Sequence, residues 1–260
     1  MLPCWWGVAL AAPRTLNLKL LLLFAVGATL MRGAGCTFND LIDQDIDRQV
    51  TRTKMRPLAN GEISSRPALI FFFFQCLGGL VVLFCLPVRC WPLGLAGLGL
   101  LILYPFMKRI TYWPQLLLGS AFNLGVIFGA VATLPYEAIN WPAVLGLYGA
   151  GIAWTLAYDT IYALQDKEDD LKIGVKSTAI RFGGHVKIAL AALYGLMFAL
   201  LAYVGYENQG GPLYYALMGA GALATAIRLY RFHPANPTEC RKAFHANPYL
   251  GWLVWVALLT

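Results

Sequence analysis

LKLLLLFAVGATLMRGAGCTFNDLIDQDID, residues 18–47, opens on an apolar run and closes on Asn39 and four carboxylates, Asp40, Asp43, Asp45 and Asp47. The apolar part, residues 18–38, matches the roughly 20 residues a helix needs to cross a bilayer. Similar runs recur at residues 67–87, 91–107, 113–134, 141–163, 187–206 and 211–230, with partial runs at 1–12 and from about 248 to the end. They are apolar all round, as membrane helices are. The pattern predicts an all-α, multi-pass transmembrane bundle of nine helices, a single domain over 1–260, with the first and last helices cut short.

Composition agrees. Of 260 residues 59% are hydrophobic and 13% charged, against about 25% charge in soluble domains. The net charge of +7 would suit nucleic acid in a soluble protein. Here 16 of the 20 Lys and Arg residues fall in alternate loops, at 39–66, 108–112, 166–187 and 228–245, while the connectors at 87–91, 134–141 and 206–212 hold only Arg89. That is the positive-inside pattern, so the expected partner is the lipid bilayer and not nucleic acid, with the basic loops facing the cytoplasm or an equivalent compartment. The six cysteines form no Cys-x-x-Cys pair and the three histidines lack a ligand spacing, so neither a disulfide nor a zinc site is expected.

All eight aspartates lie in two stretches, Asp40 to Asp47 and Asp159 to Asp170, at the ends of apolar spans on the basic-loop side. At about 100° per residue, Asn39, Asp40, Asp43 and Asp47 share one helix face and Asp45 points away. In the second stretch Asp159, Asp166 and Asp170 share a face, with Glu168 opposite and Asp169 to one side. Stacked carboxylates repel, and carboxylates near a bilayer are costly. Divalent cations resolve the conflict: Mg²⁺ takes oxygen ligands, typically one or two carboxylates plus substrate phosphates. Two facing stripes are therefore expected to clamp a diphosphate through Mg²⁺. Basic residues follow each stripe, and Arg52 and Arg56, beside the turn Arg56-Pro57-Leu58-Ala59-Asn60-Gly61, are candidates for phosphate contacts. The plainer reading of any one of these cations is a topology determinant.

Asn39-Asp40-x-x-Asp43-x-x-x-Asp47 resembles the first acidic motif of the intramembrane aromatic prenyltransferases. Tyr158-Asp159-Thr160-x-Tyr162-Ala163-x-Gln165-Asp166-Lys167-x-Asp169-Asp170 resembles their second. Met31-Arg32-Gly33-Ala34-Gly35-Cys36, Tyr104-Pro105-Phe106-Met107-Lys108-Arg109, Trp113-Pro114-Gln115 and Ile173-Gly174-Val175-Lys176-Ser177-Thr178 are similar to the 4-hydroxybenzoate polyprenyltransferase branch. The likeness runs over nearly the whole chain.

The resemblance implies helices around a central cavity and Mg²⁺-assisted loss of diphosphate from a polyprenyl diphosphate. The allyl cation then alkylates 4-hydroxybenzoate ortho to its phenol, an early step of ubiquinone biosynthesis. It assigns Asn39, Asp40, Asp43 and Asp47 to one Mg²⁺ site and Asp166 and Asp170 to a second. It puts Asp159 beside the reacting ring, Arg109 on the acceptor carboxylate and Lys108 on the phosphate side. Arg52, Arg56, Tyr158 and Tyr162 join the substrate-binding set. Members of the family carry an Arg-rich stretch before the first helix that does not appear here, so no diphosphate contact is expected from it. The implied compartment is a bacterial or mitochondrial inner membrane, with the site facing cytoplasm or matrix.

Three other readings bear on the same residues. A sister prenyltransferase acting on homogentisate, a naphthoate or haem would use the same acidic motifs. A CDP-alcohol phosphotransferase requires Asp-Gly, which the chain lacks. A transporter would spread its acids through the depth of the spans, whereas these gather at one face. The Phe71–Phe74 run reads as lipid-facing in preference to lining a prenyl route.

Overall fold

A computed structural model of the chain describes residues 1–13, 15 and 17–260. The described residues form helices and connecting turns. The long ones are α1 (Leu2–Ala11), α2 (Leu18–Ile42), α4 (Ser65–Phe84), α5 (Trp91–Ile110), α6 (Pro114–Thr133), α7 (Trp141–Ala163), α10 (Val186–Glu207), α11 (Pro212–Arg231) and α12 (Pro237–Leu258). Three short ones, α3 (Gln44–Asp47), α8 (Lys167–Ile173) and α9 (Thr178–Phe182), lie in the connections at the end of the bundle that carries the aspartates. Among the described residues five segments are long and apolar enough to cross a membrane: Leu18–Ile42, Ser65–Phe84, Val88–Ile110, Pro114–Thr133 and Thr178–Glu207.

The helices start where the sequence supplies caps. Asn17, Asn140 and Asn236 each turn a side-chain oxygen onto backbone N–H groups of the first turn of α2, α7 and α12, satisfying donors the helix itself leaves free. Proline opens α6, α11 and α12, where its missing N–H costs nothing. These signals move one boundary. The last helix, expected from about residue 248, begins at Pro237. Its first ten residues include Glu239, Arg241, Lys242 and His245, so a search for apolar runs passes over them. Pro248 inside α12 removes a backbone donor to the carbonyl of Phe244. Asn247 Nδ2 approaches that carbonyl at 3.5 Å and donates to the carbonyl of Ala243 at 2.9 Å.

The bundle closes through small residues. A Cβ on Gly7 would stand 2.0 Å from the carbonyl oxygen of Val126, and one on Gly129 would stand 2.2 Å from that of Cys4. Helices α1 and α6 therefore meet backbone to backbone, the close approach that glycine at i,i+4 permits in membrane helices. Trp6, fully buried, donates its indole N–H to the carbonyl of Gly251 at 2.9 Å, which fastens α1 to α12 as well. Helix α7 packs against α6, α10 and α12 and buries most of its length. Phe71, Phe73 and Phe74 on α4 face outward, while Phe72 is buried against Phe38.

Candidate active site

Helix α2 carries the first acidic stripe out of the span. The helix breaks at Asp43 (φ −100°, ψ 6°), but the hydrogen-bond ladder continues across the break. The Asp43 N–H donates to the carbonyl of Asn39 (2.9 Å) and the Asp47 N–H to that of Asp43 (2.7 Å). Asn39, Asp40, Asp43 and Asp47 thus keep close to a common helical register, and Asp45 points away to solvent, paired only with Arg48 at 3.3 Å. Arg56 returns from the following loop and bridges the stripe: its Nη1 lies 2.8 Å from Asp40 and 2.9 Å from Asp47. Asp43 is fully buried and is met by Lys108 from the last turn of α5. Its Oδ1 has no hydrogen-bond partner; Arg109 stands 3.8 Å from it and spends its Nη2 on the carbonyl of Ile42 at 2.9 Å.

The second stretch departs from the single stripe expected of it. Helix α7 ends at Ala163 and α8 starts at Lys167, with Asp166 at its N-cap position. Asp159 therefore belongs to the α7 wall, while Asp166 and Asp170 belong to α8, joined by the Asp170 N–H to Asp166 carbonyl bond at 2.8 Å. Burial, reinforced by the neighbouring Asp166 charge, pushes the Asp170 carboxyl up to about 7. Asp169 accepts the backbone N–H of Thr51 at 3.0 Å, which holds its carboxyl below the usual range. Beside it, Arg52 Nε reaches both oxygens of Asp166 at 2.8 and 3.1 Å, and Arg52 Nη1 donates to the Tyr162 hydroxyl at 2.6 Å. The guanidinium also lies over the Tyr162 ring, 4.7 Å from its centre. Residues 51–52 and 166–169 are in this way tied together, and the bond to Asp166 raises the Arg52 pKa further.

A second lock sets the height of α8. Gly174, at φ +75°, ends the helix in the left-handed conformation that glycine adopts without a Cβ clash. The chain then docks on α5 and α6: Lys176 N–H donates to the carbonyl of Lys108 (2.9 Å), Lys176 Nζ to that of Ile110 (3.0 Å), and Thr178 N–H to the buried Gln115 Oε1 (3.2 Å). Thr178 and Thr160 share a buried hydroxyl bond of 2.6 Å. The Trp113-Pro-Gln115 and Ile173-to-Thr178 segments thus meet each other.

The aromatic wall comes from α7 and α12. Tyr158 packs on Trp154 and Phe244, and Tyr162 packs on Phe244 at 4.8 Å between ring centres. Behind them Asn247 Oδ1 accepts both the Trp154 indole N–H (3.2 Å) and the Tyr194 hydroxyl (2.9 Å).

Arg32 enters the sequence reading only within the Met31-to-Cys36 segment, with no role of its own. Arg32 lies ten positions before the end of α2, inside the span. Its guanidinium sits over the Phe122 ring at 5.5 Å, and it supplies the positive charge that acts on Asp159. The cost of a cation at that depth is the signal in the sequence that marks it.

Among the described residues no three His, Cys, Asp or Glu side chains stand close enough to cage a metal by themselves. The donor set still suits Mg²⁺, which takes one or two carboxylates and completes its shell with water and substrate phosphate. Asp43 offers a buried oxygen with no partner, and Asp40 and Asp47 both lie within reach of one guanidinium nitrogen. The oxygens are hard donors, with no sulfur or imidazole among them.

Comparison with known proteins gives a consistent result. The model of the UbiA prenyltransferase family matches residues 1–255. The chain is 45% identical over 259 residues to the mitochondrial 4-hydroxybenzoate polyprenyltransferase of Drosophila melanogaster, covering 99% of this chain and 66% of that protein. It is 44% identical over 264 residues to the Homo sapiens protein of the same name, covering 99% and 70%. It thus spans slightly under two thirds of the length of the fly relative. Among solved structures, a UbiA homologue from Aeropyrum pernix K1 superposes with a TM-score of 0.84 at 26% identity, covering 98% of this chain and 94% of the other. A UbiA homologue from Archaeoglobus fulgidus bound to GPP and Mg²⁺ superposes with a TM-score of 0.72 at 20% identity, covering 100% and 94%.

Proposed function

The chain belongs to the UbiA prenyltransferase family, and from that premise we propose that it transfers a polyprenyl group from its diphosphate to the ring carbon ortho to the phenol of 4-hydroxybenzoate. The observation that carries this reading is that both acidic stretches are met by cations of the chain, Asp40 and Asp47 by Arg56, Asp43 by Lys108 and Asp166 by Arg52, with Lys108 also acting on Asp170. A cleft lined by carboxylates and cations together has the makings of a site for a metal-bound diphosphate. The high identity to proteins named for this reaction supports the acceptor.

In this reading Asn39, Asp40, Asp43 and Asp47 hold one Mg²⁺ and Asp166 and Asp170 another. When bound, the metal neutralises charge on the departing diphosphate. Arg52, Arg56 and Lys108 bind phosphate oxygens, for which the planar guanidinium is well shaped. The allylic C–O bond breaks and its electron pair leaves with the diphosphate. The ring carbon bonds the allyl carbon and passes its proton to the freed diphosphate. Asp159, on the α7 wall, orients the phenol and draws on its proton. Tyr158, Tyr162 and the Trp154–Phe244 wall keep water from the cation. Arg109 is the resemblance-based partner of the acceptor carboxylate; Arg32, inside the span, is a second cation whose charge acts on Asp159. The name of the relatives and the basic loops favour a mitochondrial inner membrane with the site on the matrix side.

The test is direct. Membranes carrying the protein are given 4-hydroxybenzoate, a polyprenyl diphosphate and Mg²⁺, and prenylated product is sought by mass spectrometry. Product is expected, and is expected to vanish with EDTA and in Asp43→Ala. A folded protein that prenylates homogentisate or a naphthoate but not 4-hydroxybenzoate would reassign the acceptor.

A further inference from the structure

Nearly every carboxylate assigned to metal is already held by a cation of the chain itself. Asp166 is gripped by Arg52, Asp40 and Asp47 by Arg56, and Asp43 by Lys108. The pairs share an asymmetry. The Arg52 side chain is 37% exposed and Asp166 13%; Lys108 is 20% exposed and Asp43 is not exposed at all. Arg56, at 30%, is more open than Asp47, at 8%, and level with Asp40. In the pairs with Asp43, Asp47 and Asp166 the basic partner is the more exposed one, with room to turn away from its carboxylate. A guanidinium cannot shed its proton, so an arginine released from a carboxylate needs another anion. Asp43 Oδ1, buried and without a hydrogen bond, is already open to coordinate.

We propose that Arg52, Arg56 and Lys108 serve as stand-in cations in the unloaded site and that loading is an exchange, in which the metal takes the carboxylates only as a diphosphate takes the basic side chains. Metal and diphosphate then bind as a couple, and each alone binds poorly because it must break ion pairs without replacing them. This inference rests on the reading of the cleft as a diphosphate site, and it carries a sign that a plain metal site would not. Removing a stand-in cation makes metal bind more tightly in the absence of diphosphate, while removing the benefit that diphosphate brings.

Mn²⁺ shares the oxygen preference of Mg²⁺ and its free form is visible by electron paramagnetic resonance. Purified full chain in lipid nanodiscs is titrated with Mn²⁺ alone and with pyrophosphate, the Mn²⁺–pyrophosphate complex being subtracted from a protein-free control. Pyrophosphate is expected to tighten binding to the unaltered protein by about tenfold or more, the scale of two or more charge-assisted contacts. Arg52→Gln and Arg56→Gln are expected to bind Mn²⁺ alone about threefold or more tightly than the unaltered protein, as release from an ion pair allows, and to lose most of the pyrophosphate effect. Arg52→Lys keeps the charge and loses the fork, so it shifts the same way by less, and it serves if a glutamine variant does not fold. Equal Mn²⁺ affinity with and without pyrophosphate, or glutamine variants that bind Mn²⁺ alone no better, would overturn the exchange. Prenyl transfer without this coupling sinks the exchange and leaves the transferase; coupling without prenyl transfer does the reverse.

Discussion

Lys108, from the last turn of α5, closes on Asp43, the fully buried carboxylate at the break of α2. The pair joins two segments 65 residues apart, and its two members are not equally replaceable. Lys108→Met leaves a buried carboxylate with only Arg109 at 3.8 Å; breaking a buried pair from one side typically costs about 3–5 kcal/mol. Asp43→Asn leaves a lysine that can turn to water, and so costs less. Thermal unfolding in detergent is expected to rank Lys108→Met well below Asp43→Asn, with the double variant recovering part of the loss. Equal losses in the two single variants would count against the asymmetry.

The glycines of α1 and α6 give a second prediction. A Cβ at Gly129 meets the carbonyl of Cys4 at 2.2 Å and the N–H nitrogen of Val8 at 2.7 Å, both backbone atoms that cannot rotate aside. Gly129→Ala and Gly7→Ala must push the helices apart, an overpacking cost of about 1–3 kcal/mol or more. Gly99, within α5, has nothing within 4 Å of its would-be Cβ. Gly99→Ala is expected to be neutral or to add up to about 1 kcal/mol through helix propensity. Melting temperatures of the three variants in one detergent decide it.

The contrast between these sites shows what the chain made legible. The apolar runs located the helices because span length is a one-dimensional property. The 100° rule placed Asp45 outside the first stripe because the ladder survives the break at Asp43. The same rule failed for Asp159, Asp166 and Asp170. Residues 164–166 leave the helix there, and neither Pro nor Gly marks the place. The start of α12 was missed because Arg241 and Lys242 hide a capped, amphipathic helix from a search for apolar runs. The lock from Gln115 to Thr178 joins residues 63 apart, and such pairings leave no local trace.

Asp170 supplies a pH dependence that can be read without any metal. Its carboxyl, ordinarily at 3.8, is pushed up to about 7 by burial and by Asp166. Between those values the folded protein holds a proton that the unfolded chain has released. The stabilisation is complete below the ordinary value and is lost as pH rises through about 7. In EDTA, α8 is therefore expected to open more readily at pH 8 than at pH 6. Hydrogen exchange over residues 167–173, corrected for the intrinsic rate at each pH, measures this. Asp170→Asn should flatten the dependence and leave α8 at least as protected at pH 8 as in the unaltered protein. A dependence that persists in the variant would assign the titration elsewhere.

For the acceptor carboxylate of the proposed reaction the chain offers two candidate cations, and their settings differ. Arg109 sits at the outer end of α5, half exposed, with one nitrogen committed to the Ile42 carbonyl. Arg32 sits inside the span over Phe122, on the same helix as the first acidic stripe, and it is the charge that acts on Asp159. Arg32 is exposed as well, but unlike Arg109 it commits no nitrogen to a backbone carbonyl, its side-chain bond going to the Cys36 Sγ. Each variant, Arg32→Met and Arg109→Met, is compared on 4-hydroxybenzoate and on a phenol without the carboxylate. The residue that meets the carboxylate should lose about tenfold or more in kcat/KM on the acid, the scale of one charged hydrogen bond, and little on the phenol. The geometry favours Arg32 for that outcome. An equal loss on both acceptors for Arg32→Met would place its role with Asp159 or the wall, and would return the carboxylate to Arg109.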